Sequence, residues 1–391
     1  MNYILFDGPF RNALLPFTYT RPVADIRIGI LTIREKWETF LGFTTTTVTE
    51  DYLSKKYPMV EFSDNIMING SYLPTQELVD ILKNLNGNEA VFDGEIVVAF
   101  RVSDTQETVD FTQFKIHNCP KSVLSIKNTW DIFQLNGVAI EADFNLVTKD
   151  KTSQPILKTV KTLNEAHVFV EEGANLNHCI LNATDGPIYI GKNSEIMEGS
   201  LVRGPFALCE NSTLKMGAKI YGPTTVGPHS KVGGEVNNSV IFGYSNKAHD
   251  GFLGNSVIGE WCNLGADTNT SNLKNNYSEV RLWNYESENF ARTGLQFCGL
   301  MMGDHSKCSI NTMFNTGTVV GVSANIFGSG FPRNFIPSFS WGGSQGMNTY
   351  LTKKAFEVAS AVFQRRGLKL TLQETEILEQ VFKISDKHRP A

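Results

Sequence analysis

The sequence lacks several features that would place it in a familiar class of protein. Its 391 residues include only six cysteines, with no CxxC pair and no histidine at the spacing of a zinc ligand. A structural zinc site is therefore not expected, and reduced cysteines favour a cytoplasmic location. No apolar run approaches the ~18 residues of a membrane-spanning helix. The first residues, "MNYILFDGPF", have neither the basic start nor the long apolar core of a signal peptide.

A basic domain or stripe is also missing. The formal net charge is −5, whereas a nucleic-acid-binding protein usually concentrates positive charge on one surface. Neither nucleic acid nor a membrane is therefore expected as a partner. The sequence is rich instead in glycine and phenylalanine, with 33 and 26 residues. Its length predicts two domains, or one domain plus an extended element.

The second half of the chain repeats with a period of six residues. Apolar residues follow one another at this spacing, and the frame returns after a two-residue slip and again after an insertion. The positions are Ile190, Ile196, Val202, Leu208, Leu214, Ile220, Val226 and Val232; then Phe252, Ile258 and Leu264; then Met302, Cys308, Phe314, Val320 and Ile326. Neither a helix nor an ordinary strand has this period, whereas stacked coils of short parallel strands do. The pattern predicts a β-helix of hexapeptide repeats over residues 165–340.

One stretch of this repeat carries polar residues of chemical interest. The segment "KAHDGFLGNSVIGEWCNLGADTNTSN" resembles the acetyltransferase site "KAGHxxYLGDxxIGxxxNIGAGTxxxN" of the bifunctional N-acetylglucosamine-1-phosphate uridyltransferase/glucosamine-1-phosphate acetyltransferase family. The segments "GPFA" and "GGEV" fit the upstream pattern of that family. The resemblance implies a left-handed β-helix with His249 as the catalytic base. It also implies that Asn263, Asn272 and Glu235 contact the substrate.

The chemistry implied by this resemblance is acyl transfer. A neutral imidazole takes the proton of an amine that attacks a thioester, and backbone N–H groups at glycine-rich corners stabilise the oxyanion. The co-substrate is expected to be acetyl-CoA or another acyl-CoA, and the acceptor an amino-sugar phosphate. Two positions depart from the family pattern, because Phe252 replaces a tyrosine and Asn237 replaces a lysine.

The N-terminal segment predicts a different domain. A strand "YILF" leads into a loop with Asp7, Gly8 and Arg11, and then into "LLPFTYTRP". This order resembles the entry of sugar-1-phosphate nucleotidyltransferases. The resemblance implies an α/β, Rossmann-like domain over residues 1–150 that binds a nucleoside triphosphate and a sugar phosphate. Arg11 matches the loop arginine, and Arg21 or Arg27 is a candidate for a further cation.

The metal site of that family is altered in this chain. In "DNIMINGSYLP", Ser71 occupies the position of the aspartate that holds Mg²⁺ in the family. Asp143, in "VAIEADF", is a candidate replacement carboxylate. Ser71 and the single-glycine loop favour acyl transfer over nucleotidyl transfer.

The last segment, 350–391, shows apolar residues at helical spacing over 352–366 and 372–384. These helices are expected to cap the β-helix or to pack on a neighbouring subunit. The resemblance implies a homotrimer and an enzyme of sugar-nucleotide biosynthesis, of the UDP-N-acetylglucosamine type. Two alternatives stay open. The protein is a nucleotidyltransferase whose β-helix is a trimerisation scaffold, or it is a sugar-nucleotide-binding regulator with both sites degenerate.

Overall fold

The structure is a computed structural model that describes residues 2–102 and 109–389. Two compact units divide the chain, and neither is continuous in sequence. The first consists of Met1–Leu14, Thr20–Ile26 and Leu31–Asn128, and the second of Leu15–Tyr19, Arg27–Ile30 and Thr129–Ala391. Two short pieces of the N-terminal segment are therefore packed with the β-helix.

The first unit is built on a six-stranded mixed sheet with three helices. The strands are β1 (Asn2–Phe6), β2 (Thr46–Val48), β3 (Asn65–Asn69), β4 (Glu89–Asp93), β5 (Ile96–Val102) and β6 (Lys115–Asn118), in the order β2-β1-β3-β5-β4-β6. Strands β1, β2 and β3 are parallel, and β5 runs antiparallel to β3 and β4. The helices are α1 (Ile33–Leu41), α2 (Asp51–Ser54) and α3 (Gln76–Lys83). Thr32 and Glu35 begin α1 with reciprocal capping bonds, and Gly42 ends it at φ +76°.

The second unit is a parallel β-helix with three faces. The first face consists of Lys161–Leu163, Ile180–Asn182, Leu201–Arg203, Lys219–Tyr221, Glu235–Asn237 and Phe252–Gly254. The second consists of Val168–Val170, Ile188–Ile190, Phe206–Leu208, Thr224–Val226, Val240–Gly243, Val257–Glu260, Leu300–Met302, Thr318–Val320 and Phe335–Ile336. The third consists of Asn175–Leu176, Glu195–Ile196, Thr213–Leu214, Lys231–Val232, Asn246–Lys247, Asn263–Leu264, Lys307–Cys308, Asn325–Ile326 and Ser340–Gly343, with Gly346–Thr349 paired antiparallel to the last.

Smaller elements complete this unit. Two further short pairs join Asn269–Thr270 to Met313–Phe314 and Arg281–Asn284 to Asn289–Arg292. The helices are α4 (Asp131–Gln134), α5 (Asn136–Thr148), α6 (Thr352–Arg365) and α7 (Leu372–Ile384). The two C-terminal helices lie where the apolar spacing predicts them, and they bury Ala355, Ala359, Phe363, Ile377, Leu378 and Val381. The predicted architecture of an α/β N-terminal domain, a β-helix and short C-terminal helices is confirmed.

The six-residue apolar pattern is confirmed except at one position. All the other predicted residues lie in the β-helix core. Phe252 is half-buried, and its neighbour Leu253 is the residue that points inward, in register with Val236. The step from Leu253 to the next inward residue, Ile258, is five residues instead of six, so the inward position lies one residue after the one that counting back in sixes from Ile258 predicts.

No helix among residues 2–102 and 109–389 is long and apolar enough to span a membrane.

Candidate active site

His249 lies on the corner that joins the third face of the β-helix to the first face. This corner, residues 248–251, is called the His249 corner below. His249 itself is exposed, and it lines two cavities. A large cavity of about 570 Å³ and a small cavity of about 360 Å³ share His249 as a lining residue. A general base must lie within hydrogen-bond reach of the proton that it removes, and His249 is exposed to both cavities as such a base would be.

The backbone of the His249 corner contacts the coils below and above it and the buried side chain of Lys247. The corner beneath it contains Gly234 at φ +71°, where a Cβ would lie 2.8 Å from the carbonyl oxygen of His249. The Nζ atom of Lys247 donates to the carbonyl oxygens of His249 at 2.6 Å and Asp250 at 3.2 Å. From the corner above, the backbone N–H of Asp267 donates to the carbonyl of Asp250 at 3.1 Å. These contacts fix the course of the corner to which the imidazole is attached.

The large cavity is cationic. Its walls carry the side chains of Lys231, Lys307, Arg365 and Arg366, and no aspartate or glutamate is among the described residues that line it. Burial lowers the pKa of Lys307 to about 8, and burial and the neighbouring Arg365 lower the pKa of Arg366. Burial is the main cause of both shifts, and a neighbouring cation contributes only to that of Arg366. Such a cavity favours a ligand with several negative charges, such as phosphate groups.

A column of aromatic side chains positions the end of α6 against this cavity. His229, Tyr244 and Trp261 occupy successive left-handed corner positions, and their rings stack with centroids 4.7 and 4.2 Å apart. Phe363 of α6 stacks on Trp261 with centroids 3.9 Å apart. Arg366 follows directly after α6 and donates to Oδ1 of Asn246 at 3.2 Å. The helix therefore contributes part of the cavity wall, beyond the capping role that its sequence predicts.

The other residues predicted from the acetyltransferase resemblance lie in two places. Asn263 is exposed on the third face and lines the large cavity together with His249. Glu235 lies on the first face, where it accepts a hydrogen bond from the Tyr221 hydroxyl at 2.6 Å. Asn272 donates to Oδ1 of Asn255 at 2.7 Å. Neither Glu235 nor Asn272 is among the residues that line the two cavities beside His249.

In the first unit, Arg11 lies in a network of ion pairs. It is 8% exposed. Its guanidinium group lies 3.6 Å from the Asp7 carboxylate and 3.2 Å from the Glu50 carboxylate, and it donates to the Tyr52 hydroxyl at 3.2 Å. Burial raises the pKa of Asp7 despite the nearby arginine. A triphosphate on Arg11 would therefore have to compete with two carboxylates. Arg21 is buried in the same unit, at 4% exposure.

The side chains of Asn69 and Ser71, at the end of strand β3, are neutral. Asn69 accepts from the backbone N–H of Ser71 at 3.1 Å and from its hydroxyl at 2.7 Å, and it donates to the carbonyl of Val97. Gly8 approaches the same amide so closely that a Cβ would lie 2.4 Å from its Nδ2. Mg²⁺ prefers carboxylate oxygens, so this amide and hydroxyl pair does not fit the cation. Nowhere in residues 2–102 and 109–389 do three or more acidic, histidine or cysteine side chains form a metal-binding group.

Arg27 and Asp143 belong to the second unit rather than to the loop of Arg11. Arg27 donates to the carbonyl of Phe242 at 3.1 Å and to the carbonyl of Ile30. The Asp143 carboxylate accepts from the backbone N–H of Ile30 at 2.7 Å, and Thr225 donates to the carbonyl of Gly29 at 2.9 Å. Arg27 and Thr225 thus tie segment 27–30 to the β-helix, and Asp143 ties it to α5.

Comparisons with known proteins relate segments of the chain to known families. Residues 3–152 match the family model described as sugar nucleotidyl transferase. The N-terminal domain is nucleotidyltransferase-like. A bifunctional sugar-1-phosphate nucleotidylyltransferase/acetyltransferase of Sulfurisphaera tokodaii is 30% identical over 144 residues, 36% of this chain and 35% of the relative. The bifunctional protein GlmU of Trichormus variabilis is 27% identical over 213 residues, 51% of this chain and 44% of the relative.

The matched segments span less than half the length of each of these curated relatives. The first relative is named as a nucleotidylyltransferase/acetyltransferase, and the second as a bifunctional protein. Among solved structures, the UDP-N-acetylglucosamine acyltransferase of Bacteroides fragilis aligns with 61% of this chain and 92% of its own, at 15% identity and a TM-score of 0.25. A likeness with so low an identity and TM-score does not bear on function.

Proposed function

We propose that the protein transfers an acyl group from an acyl-CoA to the amine of an amino-sugar phosphate, with His249 as the general base. The observation that carries the proposal is the exposed imidazole between a cationic cavity and a second cavity. The match of the N-terminal segment to sugar nucleotidyl transferases supports a sugar-phosphate substrate. Acetyl-CoA is the simplest acyl donor to test.

The charges of the two cavities suit the two substrates. The phosphate groups of an acyl-CoA bind the cations of the large cavity, and Asn263 lies on the same wall as a hydrogen-bond donor. The small cavity carries Asp250 and Asp267, which attract an ammonium group, and Lys215, which attracts a phosphate. An amino-sugar phosphate has both groups. His249 takes the proton that the amine releases as the new amide bond forms and the thiolate of coenzyme A leaves.

The test compares wild type with His249→Asn, which keeps a polar side chain of similar reach but removes the base. Coenzyme A release from acetyl-CoA is measured with glucosamine-1-phosphate and related amino-sugar phosphates as acceptors. We expect kcat to fall by about 10²–10⁴, the usual contribution of a positioned general base. A wild-type protein without acyl transfer to any acceptor would favour a scaffold or a regulator.

We propose nucleotidyl transfer as a second activity, in the N-terminal domain. It is supported by the match of residues 3–152 to sugar nucleotidyl transferases. Pyrophosphate release from a nucleoside triphosphate and a sugar-1-phosphate is the assay. Arg11→Gln should remove this release and leave acyl transfer intact, because His249 lies in the other compact unit. If wild type releases no pyrophosphate with any of the four common nucleotides, the domain only binds its ligand.

We further propose a cytoplasmic homotrimer that acts in the synthesis of a UDP-N-acetylglucosamine-type sugar nucleotide. The first face supports a subunit interface because it exposes Leu163, Ile180 and Leu201. Ile180 and Leu201 are in register on adjacent strands. Light scattering at micromolar concentration distinguishes a trimer from a monomer, and a monomer would contradict this assembly.

A further inference from the structure

A lysine occupies a core position of the β-helix directly before the His249 corner. On the third face, Leu176, Ile196, Leu214 and Val232 are stacked in register, and the next residue of this column is Lys247. The four apolar residues belong to the hydrophobic core. Lys247 is 3% exposed. A lysine is almost never buried to this extent without specific partners.

The partners of this ammonium group are the two carbonyls of the His249 corner. Nζ donates to His249 O at 2.6 Å and to Asp250 O at 3.2 Å. The carboxylates of Asp250 and Asp267 act on the ammonium group and favour its charge, and Cys308, whose own pKa is raised by burial, also lies near it. Burial outweighs them and lowers the pKa of Lys247 to about 8. Lys247 is therefore mostly charged at neutral pH.

Burial of this charge is costly, and the fold of the coil alone does not require it. An aliphatic side chain fills the same inward position in the four coils below. Within this inward column, Lys247 is the residue whose side chain bonds to the carbonyl of His249. Charge-assisted hydrogen bonds are short and directional, so they restrict the position of that peptide group. A base must lie within hydrogen-bond reach of the proton that it removes, and a displacement of about 1 Å can cost 10²-fold in rate.

We propose that Lys247 is a positioning residue for acyl transfer, which holds the His249 corner so that the imidazole meets the attacking amine. This inference rests on the proposed function of His249. Lys247 has no contact with substrate in this role. Its effect passes through His249 and disappears when the imidazole is removed.

The experiment is a double-mutant cycle in the full-length protein. Lys247→Met keeps the length of the side chain and removes the charge and the donors, and His249→Asn removes the base. We expect Lys247→Met to lower kcat by about 10- to 100-fold, with little change in KM for acetyl-CoA. The double variant should be no slower than His249→Asn alone, because residues that act as a unit are not additive. Lys247→Gln keeps one donor group and should be intermediate.

Leu214→Met is the matched control, because it places methionine in the same inward column away from the His249 corner. We expect it to retain wild-type kcat. Lys247→Met should not lower Tm, since it removes a buried charge. A wild-type kcat in Lys247→Met, a multiplicative loss in the double variant, or parallel losses of Tm and kcat would each overturn the inference. If Lys247→Met does not fold, the role of Lys247 is structural and the inference also fails.

The proposed function fails by a different result. If His249→Asn keeps the wild-type rate, His249 is not the base, whatever Lys247→Met shows. If His249→Asn is inactive and Lys247→Met is fully active, the general base stands and only the positioning role is refuted.

Discussion

The buried ammonium group of Lys247 predicts a specific dependence of stability on pH. The folded protein holds the pKa of this group at about 8, whereas the ordinary value is 10.5. The folded state therefore binds fewer protons than the unfolded state between these two pH values. Since stability rises with pH wherever the unfolded state binds more protons, the contribution of Lys247 becomes more favourable from about pH 8 to about pH 10.5.

The magnitude follows from the two pKa values. Each pKa unit corresponds to about 1.4 kcal/mol, so the charged Lys247 costs the folded state about 3 kcal/mol below pH 8 relative to the neutral form. Lys247→Met avoids this cost but also loses two hydrogen bonds, each with a net contribution of about 1 kcal/mol. The variant should therefore be about as stable as wild type or slightly more stable at pH 7, and less stable at pH 10.5.

Urea denaturation of both proteins at several values between pH 7 and pH 10.5 measures the difference. Lys307, whose pKa is also lowered to about 8, contributes equally to both proteins and cancels. The stability of wild type minus that of Lys247→Met should increase by about 3 kcal/mol over this range. A difference that is constant with pH would refute the claim that a charged lysine is buried beneath the His249 corner.

Three further variants test the walls of the site. Arg366→Gln should raise KM for acetyl-CoA about tenfold and leave kcat nearly unchanged. The reason is that a cation that binds the donor phosphates stabilises the bound substrate and the transition state equally. An unchanged KM would show that the large cavity does not hold the donor. Phe363→Ala removes the ring that stacks on Trp261 and should release the end of α6 from the β-helix. We expect a raised KM for acetyl-CoA together with faster hydrogen exchange at the end of α6. A raised KM with unchanged hydrogen exchange would contradict the claim that the docking of α6 is the cause. Gly234→Ala should lower kcat, because its Cβ would lie 2.8 Å from the carbonyl oxygen of His249. Gly217→Ala is the control and should not lower kcat, since Gly217 has a similar φ of +67° and nothing lies within 4 Å of the position of its Cβ. Equal activity of the two variants would show that the close approach of Gly234 to His249 is unimportant.

The repeat in the sequence predicts most of the β-helix because inward positions demand apolar side chains. Ile190, Leu214 and Val320 are core residues for this reason. The same rule misses Lys247, because a pattern of apolar residues passes over a lysine. It also misplaces Phe252, since the lengths of the corners in this coil depart from a strict period. Both failures occur in the coil that carries His249.

The positions of the arginines and of Asp143 show a different limit of sequence reasoning. Arg11 and Arg27 are close in sequence, and their spacing gives no sign that they belong to different compact units. Segment 27–30 is tied to α5 and the β-helix by hydrogen bonds to Asp143, Asn136 and Thr225, more than 100 residues later in the chain. Such long-range pairings depend on the tertiary fold, and no local pattern in the N-terminal segment predicts them.

The cationic cavity is another feature that the sequence alone does not predict. Lys231 and Lys307 come from the third face of the β-helix, whereas Arg365 and Arg366 come from the end of α6. The adjacent arginines are visible in the sequence, but at the end of an amphipathic helix they are equally well explained as favourable charges near its C-terminus. Their role becomes apparent only because Phe363 stacks on Trp261 and places them beside Asn263 and His249. A segment whose apolar spacing predicts a cap therefore forms part of the cavity wall. If the proposed function holds, the affinity for the acyl donor should depend on the docking of α6 as well as on the β-helix.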